Sequence, residues 1–315
     1  SGGSVTSNVA SVAMIPGRLI NLSVLTPVAA GDPLTVGTVI GGRGVTGAMP
    51  LLIRAGGPSL APLGVNAPLA DPKLEVFAGS NVVATNDNWG GTAELTALTS
   101  QLGAFPFSSA ISRDAAVAFG PSVTAPPASY TVQVTGVGGA TGATIAEVYD
   151  GVPSATVTAT TPRLINLSVL KQIPPNGTLT AGFVIGGTTP KQVLVRAIGP
   201  TLGAPPFNVG GAMPNPKVTL FAAGGVTLAT NDDWGGDATL AAGFVGAGAF
   251  ALPASSRDAA LLVTLVPGNY TAQVAPSTAV GGAALVEVYD MDGGAAPTFV
   301  SLPANFNATL GSTGI

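Results

Sequence analysis

Arg18-Leu19-Ile20-Asn21-Leu22-Ser23-Val24-Leu25 returns letter for letter as Arg163-Leu164-Ile165-Asn166-Leu167-Ser168-Val169-Leu170. Outward from this octapeptide the landmarks recur in the same order. Arg54-Ala55-Gly56-Gly57-Pro58 answers to Arg196-Ala197-Ile198-Gly199-Pro200. Asn86-Asp87-Asn88-Trp89-Gly90-Gly91 answers to Asn231-Asp232-Asp233-Trp234-Gly235-Gly236. Ser-Arg-Asp-Ala-Ala stands at 112–116 and 256–260, and Glu-Val-Tyr-Asp at 147–150 and 287–290. The chain is one unit written twice. A period of roughly 130 to 145 residues is too long for a solenoid repeat and long enough to bury a core of its own.

Within each copy, β-branched and aliphatic runs alternate with Gly, Pro, Asn and Asp turns. In the first copy the pattern predicts strands at 18–25, 34–40, 51–54, 73–77, 82–85, 115–119, 130–135 and 144–149. The second copy repeats them, for example at 217–221, 270–274 and 284–289. About eight short strands per copy at this spacing predict an all-β fold of two tandem, jelly-roll-like β-sandwich domains. Only 94–102 and its counterpart near Leu240 read as short helices. The expected divisions are an N-terminal extension (1–17), repeat 1 (18–153), repeat 2 (154–290) and a C-terminal tail (291–315). The joint at Gly151-Val152-Pro153-Ser154 is short, so the two units are expected to lie close together.

Composition excludes several classes of function. The 315 residues hold no His and no Cys, which removes imidazole bases, thiolate nucleophiles and the usual zinc and iron–sulfur ligands. Charged residues make up 8%, against about 25% in average domains. The net charge of -4 argues against a nucleic-acid partner, which requires a basic face. Mean hydropathy is positive at +0.51. Even so, the longest apolar run, at 240–253, is broken by Gly and falls short of the roughly 18 residues of a membrane span. The start at Ser1 without Met fits a secreted chain that has lost a signal peptide, so the expected location is extracellular or on a cell surface.

The series Asn-Asp-Asn/Asp-Trp-Gly, Ser-Arg-Asp-Ala-Ala, Pro-Gly-Asn-Tyr-Thr-Ala-Gln-Val (267–274) and Val-Glu-Val-Tyr-Asp (286–290) resembles a repeat domain of large secreted proteins of environmental bacteria. More loosely, it is similar to the bacterial pre-peptidase C-terminal β-sandwich. The resemblance spans most of residues 18–290. It implies a jelly-roll-like sandwich used as an appendage or adhesion module, and it implies no catalytic activity.

The few charges are informative because they pair across the copies: Arg18/Arg163, Arg54/Arg196, Lys73/Lys217 and Arg113/Arg257 among the bases, and Asp87/Asp232, Asp114/Asp258, Glu147/Glu287 and Asp150/Asp290 among the acids. They are expected to form fixed ion pairs and turn hydrogen bonds within each sandwich. Neither copy offers a nucleophile–base pair or two acids across a recognisable cleft, so no catalytic residue is assigned and no enzyme is expected. The Asn-Asp turns have the hard-oxygen character of a calcium loop without its regular acid spacing. Asp87, Asp114, Asp232 and Asp258 are the candidate calcium ligands, against the alternative of an Asx turn closed by hydrogen bonds. Trp89 and Trp234, the only tryptophans, either plug the sandwich, meet another subunit or stack on the sugar rings of a glycan.

The ends carry a further clue. Pro297-Thr298-Phe299-Val300-Ser301-Leu302 follows the pattern of Pro162-Arg163-Leu164-Ile165-Asn166-Leu167, namely Pro, any residue, two apolar residues, a small polar residue and Leu. Read this way, the chain carries the opening strand of a third unit. Such a strand seeks a sheet edge that another copy can supply. The leading expectation is therefore a structural subunit of a homopolymeric filament or surface layer, joined head to tail by strand addition. Phe299, Val300, Leu302 and Phe306 are the candidate donor residues, with Val12 and Ile15 at the alternative, N-terminal donor. The competing expectation is a secreted adhesin or carbohydrate-binding module that acts as a monomer through Trp89 and Trp234.

Overall fold

The computed structural model describes residues 14–123 and 127–291. The first repeat contributes β1 (Arg18–Val28), β2 (Leu34–Gly41), β3 (Gly47–Ala48), β4 (Leu51–Gly56), β5 (Pro72–Ala78), β6 (Asn81–Asn86), β7 (Ala115–Phe119), β8 (Ser122–Val123), β9 (Ala128–Gly136) and β10 (Gly142–Asp150). The second contributes β11 (Arg163–Ile173), β12 (Leu179–Gly186), β13 (Lys191–Ile198), β14 (Pro216–Ala222), β15 (Val226–Asn231), β16 (Ala259–Leu265), β17 (Gly268–Pro276) and β18 (Gly282–Asp290). The helices are α1 (Ala93–Gln101), α2 (Pro200–Gly203) and α3 (Ala238–Ala247). Every strand expected in the first copy forms, lengthened at most by a few residues at its ends. The two expected helices form as α1 and α3, each started by a side chain that accepts from a backbone N–H three residues on: Thr92 from Leu95 and Asp237 from Leu240. The fold is an all-β sandwich.

Apart from β3 and β8, which pair with each other, the strands assemble into two antiparallel sheets, and each sheet is built from both repeats. One runs β7-β4-β10-β1-β12-β17-β14-β15. The other runs β16-β13-β18-β11-β2-β9-β5-β6. A single bridge, Leu19 opposite Leu164, joins them where β1 and β11 cross. The opening strands are thus exchanged. β1 lies between its own closing strand β10 and β12 of the second repeat. β11 lies between its own β18 and β2 of the first. Each opening strand carries one irregularity at the equivalent place in its ladder to the other repeat, between Leu19 and Asn21 and between Leu164 and Asn166, where one extra residue bends the strand.

The alternation of β2 and β12, inward at every second residue, is that of strands with one face on a core. One apolar cluster runs through both repeats, from Val24, Leu34, Val36 and Ile53 in the first to Val169, Phe183, Val195 and Leu220 in the second. Two smaller clusters lie beneath the helices, around Trp89 and around Trp234. The join at residue 153 therefore marks a repeat in sequence, while the sheets and the core pass across it. Charges bind the same seam. Lys171 on β11 donates to the Asp32 carboxylate at 2.5 Å, from one repeat to the other, and Arg18 donates to the carbonyl of Pro162 at 2.8 Å.

Candidate functional site

Three arrangements of polar side chains recur in both repeats. The first is a buried guanidinium box. Arg54 on β4 and Arg196 on β13 are fully buried. Each lies opposite a glutamate of the closing strand, Glu147 on β10 and Glu287 on β18, because the register pairs Arg54 with Glu147 and Arg196 with Glu287. Arg196 donates twice to Glu287, at 2.8 and 2.6 Å, and once to the carbonyl of Phe250 at 2.6 Å. Its guanidinium sits over the Phe250 ring at 4.3 Å. In the first repeat the ion pair is looser, 3.5 Å from Arg54 Nε to Glu147 Oε2, and the guanidinium is held by the rings of Phe105 and Phe107 at 4.5 and 4.1 Å. Tyr149 and Tyr289 donate their hydroxyls to Glu147 and Glu287 at 2.7 and 2.8 Å. Burial lowers the affinity of Arg54 for its proton and raises that of the Glu147 carboxyl, opposed in each case by the partner charge. Burial also raises both tyrosine hydroxyls, which stay protonated as donors.

The second arrangement is an aspartate cage. Asp114 accepts from the backbone N–H of Gly57 at 2.7 Å and of Ser59 at 3.2 Å, and from the hydroxyls of Ser59 and, at 2.5 Å, Ser112. Asp258 repeats this with Gly199 at 2.7 Å, Thr201 at 3.4 Å and the Thr201 hydroxyl. The Gly-Pro motif after β4 and β13 thus turns around a carboxylate supplied by the Ser-Arg-Asp motif. These two carboxylates are fully buried and ringed by hydrogen donors, which oppose a cation. Asp87 and Asp232 are exposed, and Asp232 accepts from Ser277 at 3.2 Å. Among the described residues no group of three or more acidic side chains converges. In the Asn-Asp turns themselves, Asn86 and Asn231 bridge sheet edges, accepting at 3.0 Å from the backbone N–H of Ala116 on β7 and of Ala260 on β16.

The third arrangement holds the two tryptophans, and of their three readings it fits the plug. Trp89 and Trp234 are only 8% and 5% exposed. Their indole N–H groups donate to the carbonyls of Ser109 and Pro253, both at 3.0 Å, and their rings pack on Phe107 and Phe244. They are plugs between helix and sheet, and their faces are closed to a sugar ring. The aromatic partners Phe105 and Phe250 went unread in the sequence, although Gly-Ala-Phe at 103–105 and 248–250 is itself repeated.

Of the candidate interface residues, Val12, Phe299, Val300, Leu302 and Phe306 lie outside the described residues. Ile15 lies within them, and it pairs inside its own chain. Its carbonyl accepts from the N–H of Thr188 at 2.8 Å and its N–H donates to the Thr188 hydroxyl at 2.9 Å. A third charge cluster lies near the seam, where Arg18 pairs with Asp150, and Arg163 and Lys191 both pair with Asp290. Burial raises the Asp150 carboxyl, with Arg18 pulling the other way. The seam also holds a groove of about 390 Å³ lined by Thr46, Pro50, Pro153, Thr156, Thr160 and Thr161 among others.

No family model matches the chain, the pre-peptidase C-terminal domain included, and no curated protein matches it. Among solved structures the chain is similar to the tandem CBM51 modules of a family 98 glycoside hydrolase from Streptococcus pneumoniae. That likeness has 10% identity and a TM-score of 0.22, over 84% of this chain and 83% of that one. It is similar to PNGF-II at 11% identity and a TM-score of 0.21, over 85% of this chain and 60% of that one. Likenesses this loose carry no argument about ligand or activity. No helix among the described residues is long and apolar enough to cross a membrane.

Proposed function

We propose that the chain is a non-catalytic structural subunit that works outside the cell and assembles with copies of itself by strand addition, residues 18–153 and 154–290 being its repeat units. The observation that carries the reading is the exchange of β1 and β11. In this fold each opening strand pairs on one side with the closing strand of its own repeat and on the other with a strand of the other repeat, so that it joins the two halves of a sheet. The sequence at 297–302 offers the same opening pattern once more, beyond the second repeat. A donor strand on one subunit and an acceptor edge on another make a heterologous contact, and such contacts propagate rather than close. The conspicuous buried charges are consistent with a scaffold: they are absorbed in pairs and cages that position backbone. The test is deletion of residues 297–315. The reading expects folded, non-assembling subunits; a deletion variant that assembles as the full chain does would remove the C-terminal donor.

A second reading, a monomeric module that binds glycans, is favoured by one observation, the threonine-lined groove at the seam. Hydroxyls from Thr46, Thr156, Thr160 and Thr161 can exchange hydrogen bonds with a sugar, although no aromatic face lines the groove. Saturable binding to a glycan panel, lost on Thr160→Val and Thr161→Val, would support this reading. With the tryptophans buried, it no longer rests on Trp89 and Trp234.

A further inference from the structure

We propose that β6 is the edge that accepts the donor segment, residues 298–309, of a second copy. This deepens the strand-addition reading and rests on it. The two sheets end in four strands, β7 and β15 in one, β16 and β6 in the other. Of these, β6 and its counterpart β15 are the exposed ones. Neither Asn81-Val82-Val83-Ala84-Thr85-Asn86 nor Val226-Thr227-Leu228-Ala229-Thr230-Asn231 holds a charge or a proline, the residues that usually blunt an edge. Val82 and Val83 are 50% and 45% exposed, and Val226 and Leu228 59% and 46%. Each strand also bulges at the same place. Val76 pairs with Ala84 and Phe77 with Val82, leaving Val83 over; Leu220 pairs with Ala229 and Phe221 with Thr227, leaving Leu228 over. A bulge twists an edge, but here it leaves an apolar residue exposed in both repeats, which burial against a partner would stabilise.

The occupant follows from composition and position. Residues 298–309, Thr-Phe-Val-Ser-Leu-Pro-Ala-Asn-Phe-Asn-Ala-Thr, are uncharged and carry Phe299, Val300, Leu302 and Phe306, so they match an uncharged apolar edge. They follow Met291, whose N–H donates to the carbonyl of Gln192 in the second repeat. β6 ends a sheet in the first repeat. A donor from beyond the second repeat of one copy and an acceptor in the first repeat of the next make a heterologous contact, which extends a file of copies without limit.

The absence of cysteine from the chain makes the test direct. Full-length Val83→Cys and full-length Ser301→Cys, mixed and oxidised, are expected to give a reducible band of two chains, whereas Leu228→Cys mixed with Ser301→Cys is not. In parallel, Val82→Lys/Val83→Lys is expected to abolish assembly read by sedimentation velocity, with the melting temperature showing that the fold is kept, while Leu228→Lys leaves assembly intact. Cross-linking or loss of assembly at Leu228 alone would overturn the choice of β6. So would a Val83→Cys/Ser301→Cys double variant that closes on itself within one chain. Unimpaired assembly of the lysine variant, with assembly still lost on deleting 297–315, would overturn β6 as acceptor and leave the strand-addition reading standing. Failure of the unmodified chain to assemble would overturn both.

Discussion

Ser168 on β11 stands directly across from Gly37 on β2, and a methyl group on Gly37 would meet the Ser168 hydroxyl, which would have to turn away to admit it. The other seam repeats the relationship, with Ser23 on β1 across from Gly182 on β12 and a Cβ on Gly182 at 2.9 Å from the Ser23 hydroxyl. Both pairs belong to the exchanged strands, so they report on whether the repeats are joined as described. Gly37→Ala is expected to destabilise the chain by about 1 kcal/mol, because the Ser168 hydroxyl must leave its rotamer to admit the methyl group. Ser168→Ala made in the same chain should return much of that loss. Urea unfolding of the two single variants and the double variant measures the coupling. Additive effects would mean that the two residues do not meet.

The guanidinium boxes differ in how firmly the ion pair is made. Glu287→Ala strands Arg196 without its two hydrogen bonds and is expected to cost about 3–5 kcal/mol. Glu147→Ala should cost less, because Arg54 is held in part by the Phe105 and Phe107 rings and its carboxylate contact is longer. Equal losses in denaturant midpoints at unchanged slope would contradict this ordering.

Acid should be well tolerated at the closing strand of the first repeat. Burial raises Glu147 and Asp150 above the usual carboxylate range. A carboxyl whose folded pKa is raised binds more protons folded than unfolded. Its contribution to stability is therefore full below its unfolded value, near about 4, and is lost as pH rises through the raised value. Asp150→Asn is expected to flatten the dependence of melting temperature on pH above about pH 4 relative to the unmodified chain. A variant whose stability falls more steeply with rising pH than the parent's would contradict that sign.

Trp89 and Trp234 should report a closed interior. Their fluorescence is expected to be blue-shifted, weakly quenched by iodide and unchanged across a glycan panel. Trp234→Ala is expected to cost about 3–5 kcal/mol, as truncation of a large buried ring does. Glycan-dependent emission would contradict the burial of both rings.

The strands were legible because their sequence does the work locally. Alternation in Leu34 to Gly41 and turn residues on either side specify a half-buried strand whatever lies beside it. The paired charges were legible for a related reason, since Arg18, Arg54, Glu147 and Asp150 recur with their partners in so sparsely charged a chain. The exchange of β1 and β11 was not legible, and its physical cause is plain. The two octapeptides are identical, and β2 and β12 resemble each other, so local pattern cannot say which opening strand docks on which repeat. Burial of the tryptophans was among the readings their sequence offered, but the rings that cover them, Phe107 and Phe244, were not legible, because they come from loop and helix segments without strand periodicity. Asp114 and Asp258 looked like oxygen ligands in sequence, and only the fold reveals that backbone N–H groups already surround them.

The central claim is assembly by strand addition, and electron microscopy of the full-length protein in negative stain, at neutral pH without added ligand, tests it most directly. The account predicts regular thin filaments that disappear when residues 297–315 are deleted. A field of dispersed single molecules at every protein concentration would contradict it.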